Sequence, residues 1–291
     1  MPELPEVTTT VNGIQNKVVG HTILSVENLY FSTAAIARDT HKDERYFNEQ
    51  LLPNVLNQKI ISAERIAKNV VIHLQNGYSL VIHMKMTGNL IFCDTNKIDN
   101  YKYVRFIFNF KKIKDDKEKS LIFVDVRKFG TIEIIKSDKV DNFIKANKYG
   151  PDALSINNGD FSFRIKAFTK KRKTTVKELL LDQKFVTGIG NIYSDELLHR
   201  AHVLPTRELY TLLDHEIENI HSAMRTVLVA GIELGGDSMS DYRNIDGEKG
   251  GFQLSHMVYQ RRGERCVQCS GTILRITLAG RGTHFCKYCQ V

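Results

Sequence analysis

No stretch of this sequence approaches the ~20 apolar residues of a membrane-spanning helix, so a membrane span is not expected. The first residues contain no charged-then-apolar run. A secretory signal is therefore not expected, and the chain reads as cytoplasmic. There is no internal repeat and no low-complexity segment, which sets repeat architectures aside. Cysteine is almost missing from most of the chain. Cys93 stands alone in an apolar stretch (Leu90-Ile91-Phe92) and reads as a strand residue, whereas the other four cysteines crowd into the last 26 residues. Without a secretory signal, four clustered cysteines favour a metal site over disulfides.

A length of 291 residues is enough for two domains with real cores, and 42% hydrophobic content is globular. Net charge is +8, from 41 Lys and Arg against 33 Asp and Glu, which suits a polyanionic partner but does not identify one. Part of that excess lies in Lys111–Lys119, a mixed-sign run that reads as a solvated hairpin loop.

Val7, Val11, Ile14 and Val18 fall at helical spacing over residues 5–19, and Gly20 ends the run. A β-rich region follows. Asn69–Leu74 and Ser79–Met86 flank an Asn-Gly turn, and Tyr103–Phe110 and Leu121–Ile135 are further strands. Together they predict a β-sandwich or barrel-like core with one N-terminal helix. The character changes near 136–155, where Lys148–Asp152 is turn-like. Beyond it, Leu209, Leu212, Leu213, Ile217, Ile220, Met224, Val227 and Leu228 predict one apolar face of a long helix, opened by Pro205-Thr206.

Cys266-x2-Cys269 and Cys286-x2-Cys289, with 16 residues between the pairs, predict a closed four-thiolate zinc site. The intervening Thr272–Leu278 alternates as a β-hairpin would, presenting Gly280-Arg281-Gly282-Thr283 at its tip. From the cysteines alone, a fold staple and a DNA-binding finger are equally supported. Gly188 and Gly190 allow a tight turn between two helical segments, either an ordinary connection or an approach to DNA phosphate. Asp125–Gly130 interrupts a β pattern with two cations and an aromatic. Alone it reads as a strand end, although an exposed Arg-x-Phe could also wedge into a base stack. Lys68 alone is a surface lysine. The opening Met1-Pro2-Glu3-Leu4-Pro5-Glu6 invites removal of the methionine. That would leave Pro2 a free secondary amine, titrating about two to three units below a lysine and able to form an iminium with a carbonyl-like carbon.

Taken together these residues resemble the formamidopyrimidine-DNA glycosylase family of bacterial base-excision repair. The resemblance spans nearly the whole chain. It runs through the N-terminal hexapeptide, Ala67-Lys68, His83–Gly88, Asp125–Gly130, Val176–Gln183, Gly188–Tyr193 with Glu196, Val258-Tyr259 and Gly280–Cys286. It implies an α+β multidomain chain, with an N-terminal β-sandwich bearing a helix, a helix–two-turn–helix domain and a C-terminal zinc-finger β-hairpin. The corresponding boundaries are 1–135, a linker at 136–155, 156–257 and 258–291.

The resemblance also implies a partner, damaged double-stranded DNA held in a clamp, a monomer associated with the nucleoid, and one structural zinc. By the same resemblance Pro2 is the nucleophile and Glu3 the acid that opens the sugar. Lys68 is the proton donor for β-elimination, Arg281 the donor for δ-elimination, and Glu6 a supporting carboxylate. Met86, Arg127 and Phe129 fill the hole left by a flipped oxidised purine. His83, Tyr101, Arg127, Arg172, Lys177 and Asn191 contact the DNA. Lys85, Tyr101 and Gln260 depart from the usual residues, and Tyr101 stands where a DNA-contacting histidine is common. An endonuclease VIII-like enzyme for oxidised pyrimidines is the alternative. Leu4, and the loop Gly236–Tyr242 resembling the segment that closes over 8-oxoguanine, argue against it. A catalytically silent DNA-binding zinc protein would require loss of Pro2, Glu3, Lys68 or Arg281, and all four are present.

Overall fold

The computed structural model describes residues 1–32, 39–112, 117–169 and 174–291. These fall into two compact units, Met1–Asn147 with Gly235–Gly251, and Lys148–Leu234 with Phe252–Val291. Arg172, expected to contact DNA, lies outside the described residues, as do residues 113–116 of the expected hairpin loop.

The first unit opens with helix α1 (Leu4–Lys17). Its buried stripe of Leu4, Val7, Val11 and Ile14 follows the helical period, and Gly20, at φ +95°, lets the chain turn away. One four-stranded antiparallel sheet contains β1 (Ile23–Asn28), β5 (Gly88–Asp94), β6 (Val104–Phe110) and β7 (Lys119–Asp125) in the order β1-β6-β7-β5. The second contains β2 (Ile60–Ile66), β3 (Asn69–Leu74), β4 (Tyr78–His83) and β8 (Thr131–Lys136) in the order β2-β3-β4-β8. Among the described residues between β1 and β2 are two short helices, α2 (Glu44–Tyr46) and α3 (Leu52–Val55), joined by a π-helical turn. Helix α4 (Val140–Ala146) follows β8. The expected β-sandwich is present. Val70, Ile72, Leu80 and Ile82 of one sheet and Leu90, Phe106, Phe108 and Phe123 of the other share one core with Val7, Val11 and Ile14 of α1.

Strand register decides where the exposed loops go. In the second sheet His83 pairs with Thr131, and in the first Gly88 pairs with Asp125. Both the β4–β5 turn and the β7–β8 loop therefore cross between the sheets from the same strand ends. The stretch read as one strand over Leu121–Ile135 is in fact two strands of different sheets, split by residues 126–130.

The second unit contains α5 (Asn158–Thr169), α6 (Val176–Leu181), α7 (Asn191–Arg200), α8 (Asp214–Glu233) and the hairpin of β9 (Ile273–Leu278) and β10 (Arg281–Cys286). Ile217, Ile220, Met224, Val227 and Leu228 are the buried face of α8, as expected. The helix starts later than the apolar pattern suggests. Leu209–Thr211 is a separate 3-10 turn, and Leu213 is exposed as the N-cap. Glu216 sets that start: its carboxylate accepts the Leu213 N–H at 2.8 Å and is held in turn by Arg207. Between α6 and α7, Gln183 donates to Leu181 O and Ile189 O and accepts from the Gly188 N–H. This fixes a turn in which Gly188 takes φ +104°.

Candidate active site and nucleic-acid interface

Pro2 and Glu3 sit buried at the start of α1, with Glu3 as its N-cap. Glu6 joins this end to a distant loop. Its Oε2 accepts the Glu3 N–H at 2.7 Å, and its Oε1 accepts the Asp237 N–H at 2.7 Å. The Tyr242 hydroxyl adds a bond to the Glu6 carbonyl at 3.1 Å, and burial pushes that phenol above its ordinary range. At Gly236, with φ +86°, a Cβ would stand 2.9 Å from Tyr242 Cε1 and 3.0 Å from Glu6 Cγ, so any other residue there would be strained and crowded. Asn89 ties down the far end of the loop, donating to Asp241 O and accepting from the Arg243 N–H.

Lys68 follows β2 and is buried. The preceding Ala67 has φ +54°, and Arg65 braces it. Arg65 Nε donates to Thr8 Oγ1 of α1 at 2.9 Å and its Nη1 donates to Ala67 O at 3.0 Å. Arg65 thus ties the first turns of α1 to the turn that carries Lys68. Nothing in the sequence pattern marked it, because its partners are 57 residues away and two residues away. His83 ends β4 and accepts the Lys85 N–H on Nδ1 at 3.0 Å. Burial, then the charges of Lys85 and Lys68, hold its pKa at about 3, so a DNA contact from it would be made by a neutral ring. Tyr101 is half-buried beside Ile91, Cys93 and Ile107 of the first sheet.

Met86, Arg127 and Phe129 come together. Arg127 Nη1 lies 2.9 Å from Met86 Sδ, and its guanidinium carbon lies 4.7 Å from the centre of the Phe129 ring. Met86 is 44% and Phe129 46% exposed, so the group faces solvent and not the core. Beneath it the buried Asp125 carboxylate gathers both loops. Oδ1 accepts from Thr87 Oγ1 and from the Arg127 N–H at 3.2 Å, and Oδ2 accepts from the Gly130 N–H at 2.8 Å. Thr87 Oγ1 also accepts the Arg127 N–H, at 3.0 Å. A Cβ at Gly130 would crowd this carboxylate and the Phe123 ring. Lys85 and Lys128, one in each loop, take left-handed backbone at φ +52° and +60°.

In the second unit, Lys177 does not face solvent. Its ammonium is 2.5 Å from Asp195 Oδ1 and 2.8 Å from Thr283 Oγ1, and both charged side chains are buried. In this position Lys177 braces α6, α7 and β10 together. Asn191 starts α7 and donates to Gly282 O at 3.0 Å. Its Oδ1 is buried with no partner among the described residues. Arg281 is exposed at the hairpin tip, immediately after Ala279 and Gly280, both at positive φ as a tight two-residue turn requires. Glu196 accepts three successive backbone N–H groups, from Met257, Val258 and Tyr259, and so anchors the chain entering the hairpin.

The four cysteines converge. The Sγ atoms of Cys266, Cys269, Cys286 and Cys289 all lie within 4.8 Å of one another, with Cys266 and Cys289 3.7 Å apart and Cys269 and Cys286 3.4 Å apart. A tetrahedron of Zn–S bonds of ~2.3 Å has edges of ~3.8 Å. The set therefore fits one zinc ion, and four thiolates leave it no open position. His199 Nε2 lies 3.3 Å from Cys266 Sγ, so α7 supplies a neighbour to the site that the cysteine spacing did not reveal.

Three family profiles match the chain in order. The Formamidopyrimidine-DNA glycosylase N-terminal domain matches residues 1–132, the corresponding H2TH domain residues 149–243, and the zinc finger found in FPG and IleRS residues 263–291. The formamidopyrimidine-DNA glycosylase of Desulforamulus reducens is 35% identical over 293 residues, covering 100% of this chain and 99% of that protein.

The chain belongs to the formamidopyrimidine-DNA glycosylase family.

Solved structures agree. Lactococcus lactis Fpg in complex with abasic-site DNA superposes with a TM-score of 0.86 at 31% identity, covering 99% of each chain. The wild-type enzyme of that organism in complex with DNA containing N7-benzyl-Fapy-dG gives the same values. Within this family fold the four-cysteine cluster is the structural zinc site of the C-terminal finger.

Proposed function

We propose that this chain is a bifunctional DNA glycosylase and lyase of base-excision repair, acting on duplex DNA that carries 8-oxoguanine or a formamidopyrimidine. The observation that carries this reading is the exposed Met86–Arg127–Phe129 group, built on the same unit as Pro2 and Glu3. A target C1′ is shielded in the stack until its nucleotide is turned out, so an enzyme of this kind needs groups to fill the gap. Phe129 and Met86 supply apolar surface, and Arg127 a planar donor fork for the orphaned base.

Once Met1 is removed, the Pro2 nitrogen attacks C1′ and the damaged base departs with the glycosidic electron pair and a proton. Glu3 protonates the ring oxygen, the sugar opens, and an iminium forms between Pro2 and C1′. That electron sink acidifies the C2′ proton. Its loss expels the 3′-phosphate, and a second elimination expels the 5′-phosphate. Lys68 and Arg281 are the proton donors of these two steps, and Glu6 holds the nucleophile's helix end against the 236–242 loop. Damaged duplex DNA is the partner, and the protein acts as a monomer.

Borohydride trapping on duplexes with 8-oxoguanine, a formamidopyrimidine, thymine glycol or an abasic site tests the reading. Covalent trapping with a purine-lesion preference is expected. A thymine glycol preference would make the chain an endonuclease VIII-like enzyme, and no trapping on any duplex would make it a silent DNA-binding protein.

A further inference from the structure

Beside the Met86–Arg127–Phe129 group lies a second, partly exposed cluster that the reaction does not use. The Arg105 guanidinium carbon sits between two tyrosines, 6.0 Å from the ring centre of Tyr30 and 5.7 Å from that of Tyr103. Lys128 Nζ lies 4.4 Å from the Tyr30 ring. Tyr103 is 52% exposed, and Leu29 and Phe31 flank Tyr30 with exposed apolar surface of their own.

We propose that Tyr30, Tyr103, Arg105 and Lys128 form a stacking platform for an unpaired stretch of nucleic acid. The proposal rests on the reading above, because the platform continues the loop assigned to the orphaned base.

Three observations carry it. The first is composition. Rings interleaved with guanidinium and ammonium groups offer stacking to bases and charge to phosphates, the combination that holds single strands without reading their sequence. The second is backbone geometry. Tyr103 has φ +63° and is the one tyrosine or phenylalanine at positive φ among the described residues. A bulky side chain in left-handed backbone is unfavourable, and strain of this kind gathers at functional sites. The third is attachment. Arg105 Nε donates to Asp125 O at 2.9 Å, and the Asp125 N–H donates to Tyr103 O at 3.0 Å. Lys42 Nζ holds Lys128 O at 2.8 Å. The platform is therefore fixed to the residue that gathers the wedge loops. Lys128 lies between Arg127 and Phe129, and its left-handed backbone lets it reach Tyr30 while those two stack on each other.

The test uses the full chain with its N-terminal proline free. Affinity for a short oligothymidine single strand and for an undamaged duplex is measured by fluorescence anisotropy. Tyr103→Gly removes the ring and suits the positive φ, so the fold is retained. Tyr103→Phe keeps the stacking face. Tyr103→Gly should weaken single-strand binding about tenfold, while Tyr103→Phe stays within about twofold of wild type and duplex affinity holds in both. Undiminished single-strand binding by Tyr103→Gly, or an equal loss on single strand and duplex, overturns the platform. So does a wild-type protein that ignores the single strand, which would leave the patch to a protein partner. Borohydride trapping on an abasic duplex is run in parallel. If trapping persists while the single-strand difference is absent, only the platform fails; if trapping is absent, the enzymatic reading fails.

Discussion

Met86 and Arg127 are 41 residues apart in the chain, yet Arg127 Nη1 lies 2.9 Å from Met86 Sδ. Strand register brings their loops to one edge of the sandwich, and the Asp125 carboxylate locks the loops to each other. Asp125 accepts from three donors, so Asp125→Asn would turn an amide NH₂ toward one of them. We expect a stability loss of about 1–3 kcal/mol, read by chemical denaturation. Excision of 8-oxoguanine should slow more than cleavage at an abasic site, which has no base left to extrude. Phe129→Ala should show the same split without the stability loss. Equal rate losses on both substrates for Phe129→Ala would show that the ring supports the fold and does not enter the stack.

The nucleophile can be tested at the N-terminus itself. Any extension before Pro2, a retained Met1 included, leaves an amide where the reaction needs an amine, and trapping should disappear. Pro2→Gly still offers an α-amine and should keep some lyase activity while losing glycosylase activity. Undiminished trapping by an N-terminally tagged protein would move the nucleophile elsewhere, with Lys68 the next to examine.

Zinc should prove structural. Metal analysis is expected to give one zinc per chain. Chelation should disorder the β9–β10 hairpin and lower DNA affinity, because Arg281 would lose its support. Circular dichroism should still report the β-sandwich, which has its own core. A reduced, active protein without zinc would contradict this.

The buried pair Lys177–Asp195 is expected to serve stability. Removing one partner leaves an uncompensated buried charge, so Lys177→Met should cost about 3–5 kcal/mol. Adding Asp195→Asn to that variant should recover part of the loss. If Lys177→Met is as stable as wild type and only DNA affinity falls, the lysine reaches phosphate after all.

Acid should destabilise the first unit through His41. This residue is buried, its Nδ1 accepts the Ile132 N–H at 3.1 Å, and burial followed by the charge of Lys42 lowers its pKa to about 3. The folded value lies below the unfolded one of 6.5. The neutral ring therefore contributes fully above about pH 6.5, and its contribution is lost as pH falls toward 3. The total loss is of the order of 5 kcal/mol. Denaturation midpoints measured from pH 7 to pH 4 should fall, and His41→Asn should flatten that limb.

Local pattern alone determined a good deal of this molecule. The helical stripe of Val7, Val11 and Ile14, the Asn76-Gly77 turn between β3 and β4, and the paired Cys-x2-Cys motifs each depend on neighbours a few residues away, so the sequence displays them directly. The family resemblance also rested on short motifs in order. Tertiary structure decided what depends on distant partners. The break of Leu121–Ile135 into strands of two sheets follows from pairing with β5 and with β4, which hydrophobicity does not encode. Whether Phe129 faced solvent or core was open until the two inter-sheet loops met over Asp125. The burial of Lys177 was invisible in local pattern, because Asp195 and Thr283, the partners that close around it, lie 18 and 106 residues away. A charge run or an aromatic in sequence carries no sign of which side will be covered. That is settled only when long-range packing chooses which groups lose water and which keep it.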